Sequence, residues 1–214
     1  MLRLGVMVSG GGTNLQAIID SIESGYLVNC SIVTVVSSRK DAYALVRAEK
    51  HGIPSVCIRR KDYDTLEEYD EALVSHLKKY KVDLVVMAGF LSIVGERFIN
   101  EFPSRIINIH PSLIPSFCGK GYYGIIPHKA ALEYGVKVTG ATVHFVTLEA
   151  DSGPIILQKA VYVKEDDTPE TLQKRVMEEA EWKILPEAIK LFSQGRLAVE
   201  GRKVRILKEE SDIC

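Results

Sequence analysis

Cysteine is scarce and scattered: Cys30, Cys57, Cys118 and Cys214 stand far apart, with no Cys-x-x-Cys pair and no histidine at metal-ligand spacing beside them. No metal site is expected, and free thiols in a reducing cytoplasm are the simplest account. Long apolar runs are missing too. No stretch approaches a membrane span, and Met1–Val8 is too short, and too soon interrupted by Ser9-Gly10-Gly11-Gly12, to form the core of a secretion signal. Neither charge is in excess: Lys+Arg 27 against Asp+Glu 28 leaves a net charge of -1, which argues against nucleic acid as a partner. Repeats and low-complexity segments are absent as well. What is present, 214 residues of which 46% are hydrophobic and 26% charged, suits one ordinary globular domain with a substantial core.

Short β-rich runs alternate with amphipathic stretches in the first half, the pattern of a parallel sheet covered by helices. Strands are predicted at Leu2–Val8, Ser31–Val36, Ser55–Ile58, Val82–Ala88 and Arg105–Ile109. Nearly continuous apolar runs such as Ser31–Val36 suit a sheet buried on both faces. Helices are predicted at Thr13–Ile22 and Ala42–Lys50. A third follows Thr65-Leu66-Glu67-Glu68, a capping box with Tyr69, Leu73 and Leu77 spaced to bury one face. Beyond residue 135, Thr139–Val146 and Pro154–Val163 predict two further strands, an antiparallel or long-connection extension of the sheet. Thr168-Pro169 opens a long helix with Leu172, Val176, Ala180 and Ile184 on one face. The expected fold is α/β and Rossmann-like. Its mostly parallel twisted sheet carries helices on both faces and an antiparallel extension in the C-terminal half, as a single domain over residues 1–200 with a charged, peripheral tail at 201–214.

Three segments carry chemistry. Ser9-Gly10-Gly11-Gly12-Thr13-Asn14 joins a strand to a helix, leaving backbone amides free for an anion. It fails the dinucleotide template, since a third glycine would fall at Leu15, and lacks the Gly-Lys-[Ser/Thr] of a P-loop. A small phosphate monoester is the favoured ligand; a tight turn needing glycine for positive φ is the plainer alternative. Asn108-Ile109-His110-Pro111 ends a parallel strand, the edge at which open α/β sheets bind ligands. Period-two alternation sets Asn108 and His110 on one face, where an amide donor beside an imidazole can stabilise an oxyanion and move a proton. Asp151 lies in Asp151-Ser152-Gly153-Pro154, where an aspartate is as often a plain turn former as a partner for His110 that raises its pKa and orients it. His144 sits within a strand and is compatible with mere packing. Glu178 and Glu181, three apart on one helix face, form either a solvated surface or a carboxylate for an amine.

Taken together, Gly10–Leu15, Ala88-Gly89-Phe90, Asn108–Pro115, Gly140–Phe145, Asp151–Gly153 and Glu181 with Pro186 closely resemble the phosphoribosylglycinamide formyltransferases over nearly the whole chain. The resemblance implies transfer of a formyl group from 10-formyltetrahydrofolate, a cosubstrate, to the primary amine of glycinamide ribonucleotide, with no metal. It also implies a phosphate and ribonucleotide half at 1–100 and a catalytic and folate half at 101–200, in a monomer or homodimer. By match, Gly12, Thr13 and Asn14 bind the ribonucleotide phosphate and Glu181 its glycinamide end. Leu91, Ser92, Ile93 and Val94, with Asn108, line the folate pocket, and Asn108, His110 and Asp151 are the catalytic residues. Leu66 and Ser92 stand where some relatives carry arginine, which leaves recognition of the folate's glutamate tail open. The 117–127 loop looks longer than in some relatives, and Lys120 and His128 within and after it are expected to face solvent. Two similar families read less well. Deformylases carry a preceding regulatory domain for which a glycine loop at residue 10 leaves no room, and methionyl-tRNA formyltransferases carry an RNA-binding module that -1 net charge does not suit. A non-catalytic nucleotide sensor would need no proton-handling trio.

Overall fold

The first strand explains why the sheet is central. Leu4, Val6 and Val8 point to one face and Met7 to the other, and all are inaccessible to solvent. In the computed structural model, which describes residues 1–208, nine strands follow this logic to different degrees. They are β1 Leu2–Val8, β2 Cys30–Ser37, β3 Ser55–Cys57, β4 Leu84–Met87, β5 Ile106–His110, β6 Val138–Phe145, β7 Ile155–Tyr162, β8 Leu197–Glu200 and β9 Lys203–Ile206. Across the sheet they run β3-β2-β1-β4-β5-β6-β7-β9-β8. The pairs from β3 to β5 are parallel. At β5 the direction changes: β5 with β6 and β6 with β7 are antiparallel, with Asn108 opposite His144 and His110 opposite Thr142. The Rossmann-like α/β expectation and its antiparallel extension are borne out, with boundaries displaced by only a residue or two.

Helices cover both faces. On one, α1 Thr13–Glu23, α2 Tyr43–Lys50, α6 Pro169–Val176 and α7 Trp182–Ser193 contribute Leu15, Ala44, Leu172 and Leu185 to the larger core. On the other, α3 Leu66–Lys79 and α4 Glu96–Glu101 bring Tyr69, Leu73, Leu77 and Phe98 against Met7 and Val85. Each large apolar side chain so buried contributes roughly 1.5–3 kcal/mol. The remaining helix, α5 Ile126–Tyr134, precedes β6. No helix among the described residues is long and apolar enough to cross a membrane.

The capping box is formed as read: Thr65 Oγ1 accepts from the Glu68 amide at 3.1 Å, and Glu68 Oε2 accepts from the Thr65 amide at 3.2 Å. Thr65→Ala should therefore lower the free energy of unfolding by about 1 kcal/mol, read in urea titrations, without altering catalysis.

The long helix after Thr168 departs from expectation. It is interrupted by a π turn at Met177–Glu181, and Pro186, which has no amide proton to donate, lies inside the helix that follows. Leu172, Val176, Ala180 and Ile184 are all buried as predicted, but the wide turn separates the two glutamates: Glu178 is exposed beside Lys174 at 3.8 Å, while Glu181 points inward and is buried. They do not share a face. From the tail, Lys203–Ile206 pairs with β8 in a largely exposed edge hairpin, and Lys203 stands opposite Ile155 of β7. Residues 209–214 lie outside the described part.

Candidate active site

The β5 strand carries Asn108 and His110 to the edge of a cavity of about 340 Å³. The connection from β6 to β7 bends back over them and hangs Asp151 at its rim, with Asp151 at a φ of 53°. Gly153 makes this return possible: a Cβ there would stand 1.7 Å from the Phe145 carbonyl oxygen, so no other residue fits the neck of the loop. The Phe145 amide closes that neck by donating to the Pro154 carbonyl at 2.9 Å.

The trio is in contact. His110 Nδ1 is 3.4 Å from Asp151 Oδ2, and the Asn108 amide donates to Asp151 Oδ1 at 3.5 Å. A stronger bond from the same amide, 3.1 Å, reaches His144 Nε2, whose ring also lies 3.6 Å from Asp151 Oδ1. His144 Nδ1 faces the Phe145 carbonyl at 2.9 Å, an acceptor only, so the proton belongs on Nδ1 and Nε2 is free to accept from Asn108. Asp151 is further held by the Gly119 amide at 2.8 Å. Burial pushes its carboxyl up, but the neighbouring His144 and His110 imidazoles and the Gly119 amide outweigh this and leave it below the usual carboxylate range.

As expected, the Asp151 charge acts to raise the pKa of His110, but burial outweighs it. Burial of the ring dominates and lowers it below the ordinary histidine value; the Asp151 charge and the Phe117 carbonyl act upward but do not prevail. His110 Nε2 is 3.0 Å from that Phe117 carbonyl, so both ring nitrogens face acceptors. Burial keeps the imidazole neutral at rest, and the two acceptors bridge it on both sides once a second proton arrives.

The loop after the trio is pinned from beneath. Thr142 Oγ1 donates to the Ser112 carbonyl at 2.6 Å and accepts from the Ile114 amide at 3.1 Å, and the Gln158 amide donates to the Ile114 carbonyl at 3.0 Å. Above it, the 117–127 segment forms part of the site: Gly119, Tyr122, Tyr123 and Gly124 line the cavity, and Phe117 packs edge-on to Tyr134 with centroids 6.0 Å apart. Lys120 is exposed, as expected. His128 is not: it is wholly buried, neither ring nitrogen has a partner, and burial, then the nearby His110 ring, push its pKa down to about 4.

The glycine loop sits where the sequence put it. Gly12 has a φ of 71°, and a Cβ there would meet Ala44 Cβ at 2.6 Å. No side chain caps the α1 N-terminus that follows, so its amides remain available to an anion. Asn14 is buried on the cavity wall, and its amide donates to Glu181 Oε2 at 2.6 Å. Thr13 instead faces a second hollow, of about 470 Å³, between α1 and Trp182. Leu91, Ser92, Ile93 and Val94 line the far side of the main cavity, with Ile93 72% exposed and the Leu91 amide donating to Ser9 Oγ at 2.8 Å. Leu66 packs under this segment, 2.9 Å from where a Cβ on Gly95 would lie.

Two residues were not singled out as functional by sequence. His144 needs the β5 to β6 register before its place beside Asn108 can be seen. Arg47, on α2, donates from Nε to the Gly11 carbonyl at 2.9 Å and brings a cation to the glycine loop, with no motif to announce it. Among the described residues no group of three or more His, Cys, Asp and Glu side chains could hold a metal ion.

Comparison with known proteins places this arrangement in context. A family model described as formyl transferase matches residues 2–189. The phosphoribosylglycinamide formyltransferase of Haemophilus influenzae is 40% identical over 200 residues, which is 94% of this chain and 91% of that protein. The trifunctional purine biosynthetic protein adenosine-3 of Gallus gallus is 43% identical over 198 residues, 92% of this chain, but the chain spans only 19% of that protein's length. Among solved structures, glycinamide ribonucleotide transformylase 1 of Symbiobacterium toebii superposes with a TM-score of 0.91 at 48% identity, covering 97% of this chain and 95% of that one.

Proposed function

The chain belongs to the formyl transferase family, and from that premise we propose that it transfers the formyl group of 10-formyltetrahydrofolate to the primary amine of glycinamide ribonucleotide. The products are the N-formyl ribonucleotide and tetrahydrofolate, a step of purine biosynthesis. The observation that carries this reading is one cavity with three chemically distinct walls. Asn14 and Glu181 form one wall, Leu91, Ser92, Ile93 and Val94 another, and Asn108, His110 and Asp151 lie between them.

Each wall matches a part of the reaction. The free amides after Gly12, with Thr13 and Asn14, receive the ribonucleotide's phosphate, and Glu181 its amine. The 91–94 segment offers apolar side chains and backbone polar groups to the flat ring of the folate. Between them the neutral amine attacks the formyl carbon, and charge builds on the formyl oxygen. The Asn108 N–H that meets Asp151 at 3.5 Å turns to that oxygen, and neutral His110, its Nε2 released from the Phe117 carbonyl, takes the extra proton of the incoming nitrogen. Asp151, kept ionised, stabilises the imidazolium so formed. As the tetrahedral centre collapses, the carbon–nitrogen bond to the folate breaks, and the departing folate nitrogen takes its proton from the imidazolium, which returns His110 to its neutral state.

The direct test supplies purified protein with 10-formyltetrahydrofolate and follows tetrahydrofolate release. Release is expected only when glycinamide ribonucleotide is added. Release with water as the sole acceptor would identify a deformylase instead, and no release with either acceptor would leave a binding protein.

A further inference from the structure

Glu181 is the one carboxylate of the main cavity that the formyl-transfer step leaves without a chemical duty. It is buried, it sits on the π turn that aims it inward, and its bonding partner is Asn14, the second residue after the glycine loop, at 2.6 Å. The other ionisable groups of the surrounding elements are turned elsewhere. Glu178 lies beside Lys174 and Arg175 pairs with Asp167, while Asp20, Lys159, Glu179, Lys183 and Glu187 are exposed. His110, His144 and Asp151 share its cavity. Asn14 itself is buried, and its Oδ1 has no partner, so its amide is fixed by this one contact and by whatever binds at the loop.

We propose that Asn14 is a positioning residue acting through Glu181: its amide holds the buried carboxylate toward the substrate's amine, and Glu181 takes the proton which the ammonium must lose before it can attack. The idea rests on the functional reading above and deepens it. A primary α-amine in water titrates at about 8, so most substrate molecules arrive as the ammonium. Inside the cavity one N–H bond of the ammonium breaks with its electron pair staying on nitrogen, and an O–H bond forms on Glu181. The ion pair becomes a neutral amine beside a neutral acid, the arrangement a buried site favours when the two proton affinities are close. They are close here. Burial pushes the Glu181 carboxyl up to about 7, and the Asn14 amide is the influence that opposes it. Glu181 returns its proton to water after product leaves. Because Asn14 stands at the start of α1, a phosphate seated on the loop amides orders the same residue that orients the carboxylate. The two ends of the substrate are thereby read through one side chain.

The test has two parts. In the unliganded protein, carboxyl-labelled glutamate followed by NMR, with the Glu181 signal assigned by its loss in Glu181→Gln, should titrate near neutrality. Removing the donor in Asn14→Ala should shift that titration upward by on the order of one pH unit, and Asn14→Asp, which sets a second carboxylate against the first, by more. In formyl transfer, the sign follows: Glu181 accepts a proton only when ionised, so kcat/KM falls as pH drops through its pKa. Asn14→Ala should displace this acid limb to higher pH, beside whatever it costs in KM through the phosphate. In a Glu181→Gln background the same Asn14 change should no longer move the limb. An unchanged Glu181 titration in both Asn14 variants, or an equal displacement with and without Glu181, overturns the proposal. Failure of the wild-type protein to formylate glycinamide ribonucleotide would instead overturn the functional reading and leave the carboxyl titration untouched.

Discussion

Replacing His110 by alanine should lower the rate of formyl transfer by at least about 10²-fold, with the loss in kcat rather than in KM. The ring is buried at the cavity edge, where Nδ1 faces the Asp151 carboxylate at 3.4 Å and Nε2 the Phe117 carbonyl at 3.0 Å. Alanine removes the only imidazole in that position, while His144, the nearest alternative, has its Nδ1 committed to the Phe145 carbonyl. The neutral resting state of His110 is consistent with the role. A neutral imidazole can take the proton of the attacking amine, and a ring whose proton affinity is held down by burial gives that proton up readily to the departing folate nitrogen. Single-turnover and steady-state rates would both report the change, and an unaltered rate would take His110 out of the mechanism.

Asn108→Ala should be nearly as damaging, at roughly 10²–10³-fold in kcat, and for a different reason. Its amide donates to His144 and Asp151 and so is already ordered before substrate arrives. The 3.1 Å bond to His144 fixes the amide, and the N–H that meets Asp151 at 3.5 Å is the one that turns to the formyl oxygen. Binding of the ribonucleotide, measured by calorimetry, should change little, because Asn14 and Glu181 lie on another wall. Asn108→Ser, which leaves a shorter donor, should recover part of the rate; equal loss in both variants would point to a role in packing alone.

The sheet was legible because its signals are local. Apolar runs, the Thr65 capping box and Pro111 after His110 each specify an element within a few residues, and β1 to β7 follow from them. The hairpin of β8 and β9 went unread, since four-residue strands on an edge carry no apolar run long enough to stand out. Asn108 and His110 were legible as a pair through strand alternation. Asp151 was an ordinary turn aspartate by residue chemistry; resemblance joined it to the pair, and its distance to His110 now gives that link a geometry. The partnership of His144 with Asn108 required the register between two strands. Glu178 and Glu181 looked equivalent at helical spacing, because a π turn has no period that a helical wheel can detect. The burial of His128 and the downward shift at His110 depend on how tightly the 117–127 segment and α5 close over the ring, which no local pattern encodes.

The narrow neck at Gly153 divides the β6 to β7 connection into parts with unlike freedoms. At the neck, where a Cβ would strike the Phe145 carbonyl, geometry admits one residue type. At the tip, Leu148, Glu149 and Ala150 are exposed and bound to no core. Asp151 hangs between the two. Additions at the tip lengthen an overhang, whereas any enlargement at the neck acts as a lever on the carboxylate. Substitution at the tip can thus change the rim of the cavity in size and character while the arm that carries Asp151 keeps its reach.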